Sequence, residues 1–114
     1  MNKTIGSTNE RNRENVLSLL GLARRAGQVL VGQDRVLGAH RGTLVIVVSS
    51  DCSKAVMRKA AARGSGNVCF TLNGVTREEL GGALGVGGAQ IAALDAEGGF
   101  AKKLIELFKQ GGVA

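Results

Sequence analysis

The chain has 114 residues, 44% of them hydrophobic, and a net charge of +6. That length allows one domain, and that apolar share can bury a core, which excludes a wholly disordered chain. No apolar run approaches the roughly 18 residues of a membrane span, and the opening MNKTIGSTNERNREN has no apolar signal core, so no membrane partner and a cytoplasmic location are expected.

Cys52 and Cys69 are too few and too poorly spaced for a disulfide scaffold or a four-cysteine zinc site. The positive charge is uneven. Residues 11–63 hold ten lysines and arginines against three acids, +7, while residues 64–114 hold four against five, −1. Such an excess favours a polyanionic partner. Aromatics number three phenylalanines, Phe70, Phe100 and Phe108, each in an apolar pattern. Base stacking on exposed aromatic platforms is therefore poorly provided for.

Residues 1–12 are polar and aperiodic and are expected as a flexible tail, followed by one domain over 13–110. Glu14 to Ala26 predicts a helix: Val16, Leu20 and Ala23 share a face with Leu19, Leu22 and Ala26 beside it. Gly27 suits its C-terminal stop, and Arg24 and Arg25 suit the negative end of the helix dipole. Val29–Val31 predicts a short strand ended by Gly32. Gln33 to Arg41 predicts a second helix, with Val36, Leu37 and His40 toward the core. Leu44–Val48 is a continuous β-branched run of the kind covered on both faces. Ser53 is an N-cap candidate for a helix from Lys54 to Arg63, with Val56, Met57, Ala60 and Ala61 inside and the cations outside. Val68–Leu72 predicts a strand, and Thr76-Arg-Glu-Glu79 is a capping box opening a helix that ends near Gly85. Val86-Gly-Gly-Ala89 predicts a loop, Gln90–Leu94 a strand, and residues 99–109 a closing amphipathic helix carrying Phe100, Leu104, Leu107 and Phe108. The alternation predicts one α/β domain, a short sheet covered on both sides.

Catalysis finds little support. Cys52 with His40 could form a thiol–imidazole pair, but His40 falls at helical spacing from Val36 and Leu37. One histidine and scattered carboxylates make no metal ligand set. The glycine segments 64–66 and 85–88 lack the Gly-Lys-Ser/Thr ending of a nucleotide loop. No cofactor is expected. The stretch VLVGQDRVLG is the strongest binding candidate. A helix start offers unpaired N–H groups and partial positive charge, and Gly32 admits a ligand close to the backbone. Gln33 can donate and accept, ionised Asp34 can only accept, and Arg35 can fork onto guanine or phosphate. An ordinary strand–helix corner explains the same residues equally well.

Four ordered segments carry a family resemblance: Leu20-Gly-Leu-Ala-Arg-Arg-Ala-Gly27, Val31-Gly32 opening a helix, Leu44–Ser53 with its Ser-Asp-Cys-Ser ending, and Thr76-Arg-Glu-Glu-Leu-Gly81 followed by Gly99-Phe-Ala-Lys-Lys-Leu104. From about Glu14 to Lys109 the chain resembles the bacterial YlxQ-type proteins. These belong to the ribosomal-protein superfamily that binds kink-turn RNA, with the archaeal L-seven-Ae and eukaryotic L-thirty-e proteins. The resemblance implies a three-layer α-β-α sandwich around a mixed four-stranded sheet. It also implies RNA binding at Gly32, Gln33, Asp34 and Arg35 and at the loop Val86, Gly87 and Gly88. Kink-turn readers of this kind carry Asn-Glu at the positions of Asp34 and Arg35, and Lys at that of Gly38. RNA binding is the expectation, with kink-turn RNA kept among the structured targets and the standard kink-turn specificity not assumed.

The functional expectation is a non-catalytic, monomeric protein that binds structured RNA of ribosomal origin, alone or with ribosome assembly factors. Arg24, Arg25, Arg41, Lys54 and Arg58 would neutralise phosphates. The alternative is a protein–protein adaptor, a use the Gadd-type relatives make of the same fold.

Overall fold

The computed structural model describes residues 10–38, 43–62 and 67–110. Helix α1 spans Glu10–Arg25, and its buried residues Val16, Leu19, Leu20 and Ala23 repeat at the helical interval. It ends on Gly27, whose φ of 74° is the left-handed conformation that glycine adopts without steric cost. There the Gln28 N–H reaches the Ala23 carbonyl at 2.9 Å and the Gly27 N–H reaches that of Arg24 at 3.0 Å, a Schellman closure.

The sheet is built from β1 (Leu30–Val31), β2 (Leu44–Ser49), β3 (Val68–Leu72) and β4 (Ile91–Asp95), in the order β1-β4-β2-β3. β4 runs antiparallel to both β1 and β2, and β2 runs parallel to β3. The register lays Val31, Ala92, Val47 and Phe70 across one row and Leu30, Ala93, Ile46 and Cys69 across the next. Because side chains alternate along a strand, these rows point to opposite faces. Each face meets its own helical layer. Val45, Val47, Phe70, Leu72, Ala92 and Leu94 pack with α1 and with α4 (Arg77–Leu84) and α5 (Gly99–Gln110). Leu44, Ile46, Val48, Cys69, Ile91 and Ala93 pack with α2 (Gln33–Gly38) and α3 (Lys54–Ala61). The result is the expected three-layer α-β-α sandwich. It also explains why β2 is apolar at five consecutive positions: all six of its residues are buried.

Local chemistry sets the helix starts. Ser53 caps α3, its Oγ accepting the Val56 N–H at 3.2 Å. The capping box of α4 is complete: Thr76 Oγ1 accepts the Glu79 N–H at 3.2 Å, and Glu79 Oε1 accepts the Thr76 N–H at 3.1 Å. α4 closes on Gly85 at φ 74°.

Two expectations differ from the structure, and a third falls partly outside the described residues. α1 begins at Glu10, so residues 10–12, expected in the tail, are helical. Their polar run hides the helical period, and the turn is tied down by an ion pair between Arg13 and Glu79. α2 is described only to Gly38, and the expected core position of His40 lies outside the described residues, as do Arg41 and Arg63. Ala61, expected on the inner side of α3, is exposed, whereas Val56 and Ala60 are buried.

Candidate nucleic-acid interface

β1, β2 and β3 point the same way, so their C-terminal ends gather at one edge of the sheet, where β4 begins. Four connections meet there: the β1–α2 corner, the β2–α3 loop, the β3–α4 turn and the α4–β4 loop.

The corner turns on Gly32, at φ 94°. Its N–H donates to the Ile91 carbonyl at 3.0 Å, extending the β1–β4 ladder, and its carbonyl accepts the Val36 N–H at 3.0 Å, the first helical bond of α2. Gln33, Asp34 and Arg35 are exposed, while fully buried Val36 anchors the helix from beneath. The amides of Gln33, Asp34 and Arg35 precede that first bond and so have no partner within the helix.

The α4–β4 loop folds back along α4. The Val86 N–H reaches the Gly81 carbonyl at 2.8 Å, and the Ala89 N–H reaches the Arg77 carbonyl at 3.0 Å. Gly88 lies so close to Gly81 that a Cβ at position 81 would sit 2.5 Å from its Cα. Gly87 and Gly88 are exposed, but Val86 is half-buried and packs on the core between sheet and α1. The valine expected to meet a ligand thus serves partly to hold the loop down. Since Gly32 bonds to Ile91, the end of this loop lies directly beside the corner, and the two segments singled out in the sequence share one edge.

The β2–α3 loop braces this edge, a role that no local pattern announced. Gln90 accepts the Ser49 N–H on its main-chain carbonyl at 2.9 Å and the Ser53 N–H on Oε1 at 2.7 Å. Asp51 Oδ1 accepts the Arg77 N–H at 2.8 Å, Arg77 Nη2 donates to the Asp51 carbonyl at 2.6 Å, and their charges meet at 3.5 Å. Ser50 bonds the Val75 carbonyl through both its N–H, at 2.8 Å, and its hydroxyl, at 2.9 Å. Desolvation pushes the Asp51 carboxyl up, but the nearby Ser49 hydroxyl, the Arg77 N–H and the Arg77 charge together hold it below the ordinary value. The partners are 26 and 37 residues apart, beyond any sequence window.

The basic residues separate into groups. Lys54 and Arg58 are exposed on α3, which starts at this edge and packs beside α2 in the same layer as Arg35. Arg24 and Arg25 are exposed too, but they end α1 before β1 begins, and Gly32 follows its far end. The turn at Gly27 and β1 thus stand between them and the corner. Arg13, unremarked in the sequence, is committed to Glu79, whose carboxyl is held low by the Thr76 N–H first and then by Arg13.

Both thiols are pushed up from their ordinary range. Burial, then the Asp51 charge, push the Cys52 thiol up against the opposing charge of Arg77, and burial drives Cys69 to about 11. An activated nucleophile needs the opposite shift. Among the described residues no three His, Cys, Asp or Glu side chains could hold a metal ion together. No described helix is long and apolar enough to cross a membrane.

No protein-family model and no curated protein matches the chain. Solved structures do. The chain is similar to a protein of unknown function from Bacillus halodurans, at 27% identity and a TM-score of 0.67, over 82% of this chain and 96% of that one. It is similar to the Giardia lamblia 15.5kD RNA binding protein at 13% identity and a TM-score of 0.61, over 90% of this chain and 89% of that one. Both likenesses run over most of each chain, and what they establish is a shared α-β-α fold.

Proposed function

We propose that this is a non-catalytic RNA-binding protein that reads structured RNA at the edge formed by Gly32–Arg35 and the loop Val86–Gln90. One observation carries the reading: the bond from the Gly32 N–H to the Ile91 carbonyl sets the exposed Gln-Asp-Arg corner and the α4–β4 loop side by side. The fold shared with an RNA-binding protein from Giardia supports it, as does the excess of cations in residues 11–63. The four-segment resemblance to the YlxQ-type proteins supports a ribosomal target, and the proposal includes a protein acting as a monomer in the cytoplasm.

Gly32 lets a backbone or base approach without a side chain in the way. Gln33 and Asp34 address base edges, Asp34 only as an acceptor, and Arg35 forks onto a guanine edge or a phosphate. Lys54 and Arg58 neutralise phosphates, while Arg24 and Arg25 act only through longer-range attraction that salt screens.

The test is binding to a kink-turn RNA, a matched straight duplex and a ribosomal RNA fragment across a salt series, with Arg35→Ala alongside. Preference for kink-turn or ribosomal RNA over duplex, lost in Arg35→Ala, is expected, with a log–log salt slope of roughly −2 from the two α3 cations. Equal and steep binding to all three would reduce the edge to an unspecific basic surface. Absence of binding at moderate salt would overturn the reading and put a protein-adaptor role in its place.

A further inference from the structure

We infer that Gln90 is a further RNA contact, presenting its side-chain NH2 as a fixed donor to an oxygen acceptor of the RNA; this rests on the RNA-binding reading above. Gln90 immediately precedes Ile91, the residue that receives the Gly32 N–H, so it stands between the corner and the start of α3. Its amide orientation is not arbitrary. The group facing it at 2.7 Å is the Ser53 N–H, a pure donor, so the oxygen must lie on that side and the nitrogen on the other. Its main chain is held as well, by the Ser49 N–H at 2.9 Å. A side chain pinned at both carbonyls loses little freedom on binding, which is what a specificity contact requires. It is only half-buried, and the residues next along the chain from its neighbours, Gln33 after Gly32 and Lys54 after Ser53, are exposed.

An NH2 group fits an oxygen acceptor, and RNA offers two: a phosphate oxygen or a base carbonyl such as O6 of guanine. Gln90→Glu separates them. A carboxylate still accepts the Ser53 N–H, so the brace survives, but both donors become an acceptor. Gln28→Glu supplies the control. It adds the same charge at an exposed position before β1, at the far end from the corner.

The experiment compares wild type, Gln90→Glu and Gln28→Glu on the kink-turn RNA and the straight duplex at one moderate salt, with thermal melts confirming that all three are folded. Relative to Gln28→Glu, Gln90→Glu is expected to lose about tenfold in affinity. A loss confined to the kink-turn RNA identifies a base oxygen as the acceptor, and an equal loss on both RNAs identifies a phosphate. Gln90→Glu matching Gln28→Glu on both RNAs, with wild type binding well, overturns this inference and leaves the RNA reading standing. Wild type binding neither of these RNAs nor the ribosomal RNA fragment overturns both.

Discussion

Gly81 and Gly82 are neighbours in α4 with opposite surroundings, and replacing each by alanine tests how the α4–β4 loop is held. At Gly81 an added Cβ would lie 2.5 Å from Gly88 Cα, 2.8 Å from its N and 2.9 Å from its C. Backbone atoms cannot rotate away, so the loop must retreat by about 0.9 Å to restore a 3.4 Å contact. That movement lengthens the 2.8 Å bond from Val86 to Gly81 and the 3.0 Å bond from Ala89 to Arg77. Overpacking of this kind costs about 1–3 kcal/mol. A weakened hydrogen bond adds about 0.5–1.5 kcal/mol. The helix preference for alanine returns about 0.5–1 kcal/mol. The net loss is about 0.5–4 kcal/mol, a fall in Tm of roughly 2–16 °C for a domain of this size. At Gly82 nothing lies within 4 Å, so only the propensity gain remains and Gly82→Ala raises stability by about 0.5–1 kcal/mol. Circular-dichroism melts and urea titrations of the two variants read the difference directly. RNA affinity, measured below both melting points, should fall for Gly81→Ala and hold for Gly82→Ala. Equal stability of the two variants would refute the close seating of Gly88 on α4 and, with it, a loop held rigid beside the corner.

Phe108→Ala removes a ring fully buried and stacked on Phe70 with centroids 4.0 Å apart. It should cost about 3–5 kcal/mol, visible as a lower urea midpoint at unchanged slope. Gly32→Ala meets no atom within 4 Å but forces a side chain to φ 94°, so it should lose about 1–3 kcal/mol through backbone strain alone and weaken RNA binding as the corner shifts. Asp51 and Glu79 have folded pKa values below their ordinary 3.8 and 4.5. Their stabilisation is therefore complete above the unfolded values and lost as pH falls through the lowered folded ones. Urea midpoints should show no pH dependence from these carboxyls between pH 7 and about 5, where their contribution is full and constant, and a decline below about 4.5 that Asp51→Asn makes shallower.

What the sequence makes legible is what local patterns encode. The run from Leu44 to Val48 announces a strand buried on both faces, and Thr76 with Glu79 announces a helix start, because both signals lie within a few residues. The corner at Gly32 is legible for the same reason: a glycine, then polar residues, then an apolar-periodic stretch. The first turn of α1 is not, since Glu10–Arg13 holds no apolar residue and its anchor, Glu79, lies 66 residues away. The brace from Asp51 to Arg77 and from Gln90 to Ser53 escapes for the same reason. Arg24 and Arg25 show the reverse error. They are near Gly32 in the chain, but the turn at Gly27 and the strand β1 separate them from it. Charge counted along a sequence carries no information about which edge of a sheet it reaches.

The scarcity of aromatics gives that brace its meaning. Phe70 and Phe108 are spent on each other in the core, and Phe100 is half-buried against it, so no phenylalanine stands free as a platform for bases. Stacking tolerates small displacements because every base has a π-face, but hydrogen bonding to base edges does not. A protein that reads RNA by hydrogen bonds from a corner and a glycine loop must hold both still before the RNA arrives, or part of the binding free energy is lost in ordering them. Glycines at 87 and 88 would ordinarily leave such a loop loose. Here the bonds from Val86 to Gly81, Ala89 to Arg77 and Gln90 to Ser49 and Ser53 restrain it at both ends, and Asp51 restrains Arg77 in turn. The proposed recognition edge is therefore stiffened by polar contacts among its own loops, which is the arrangement that hydrogen-bonded readout demands.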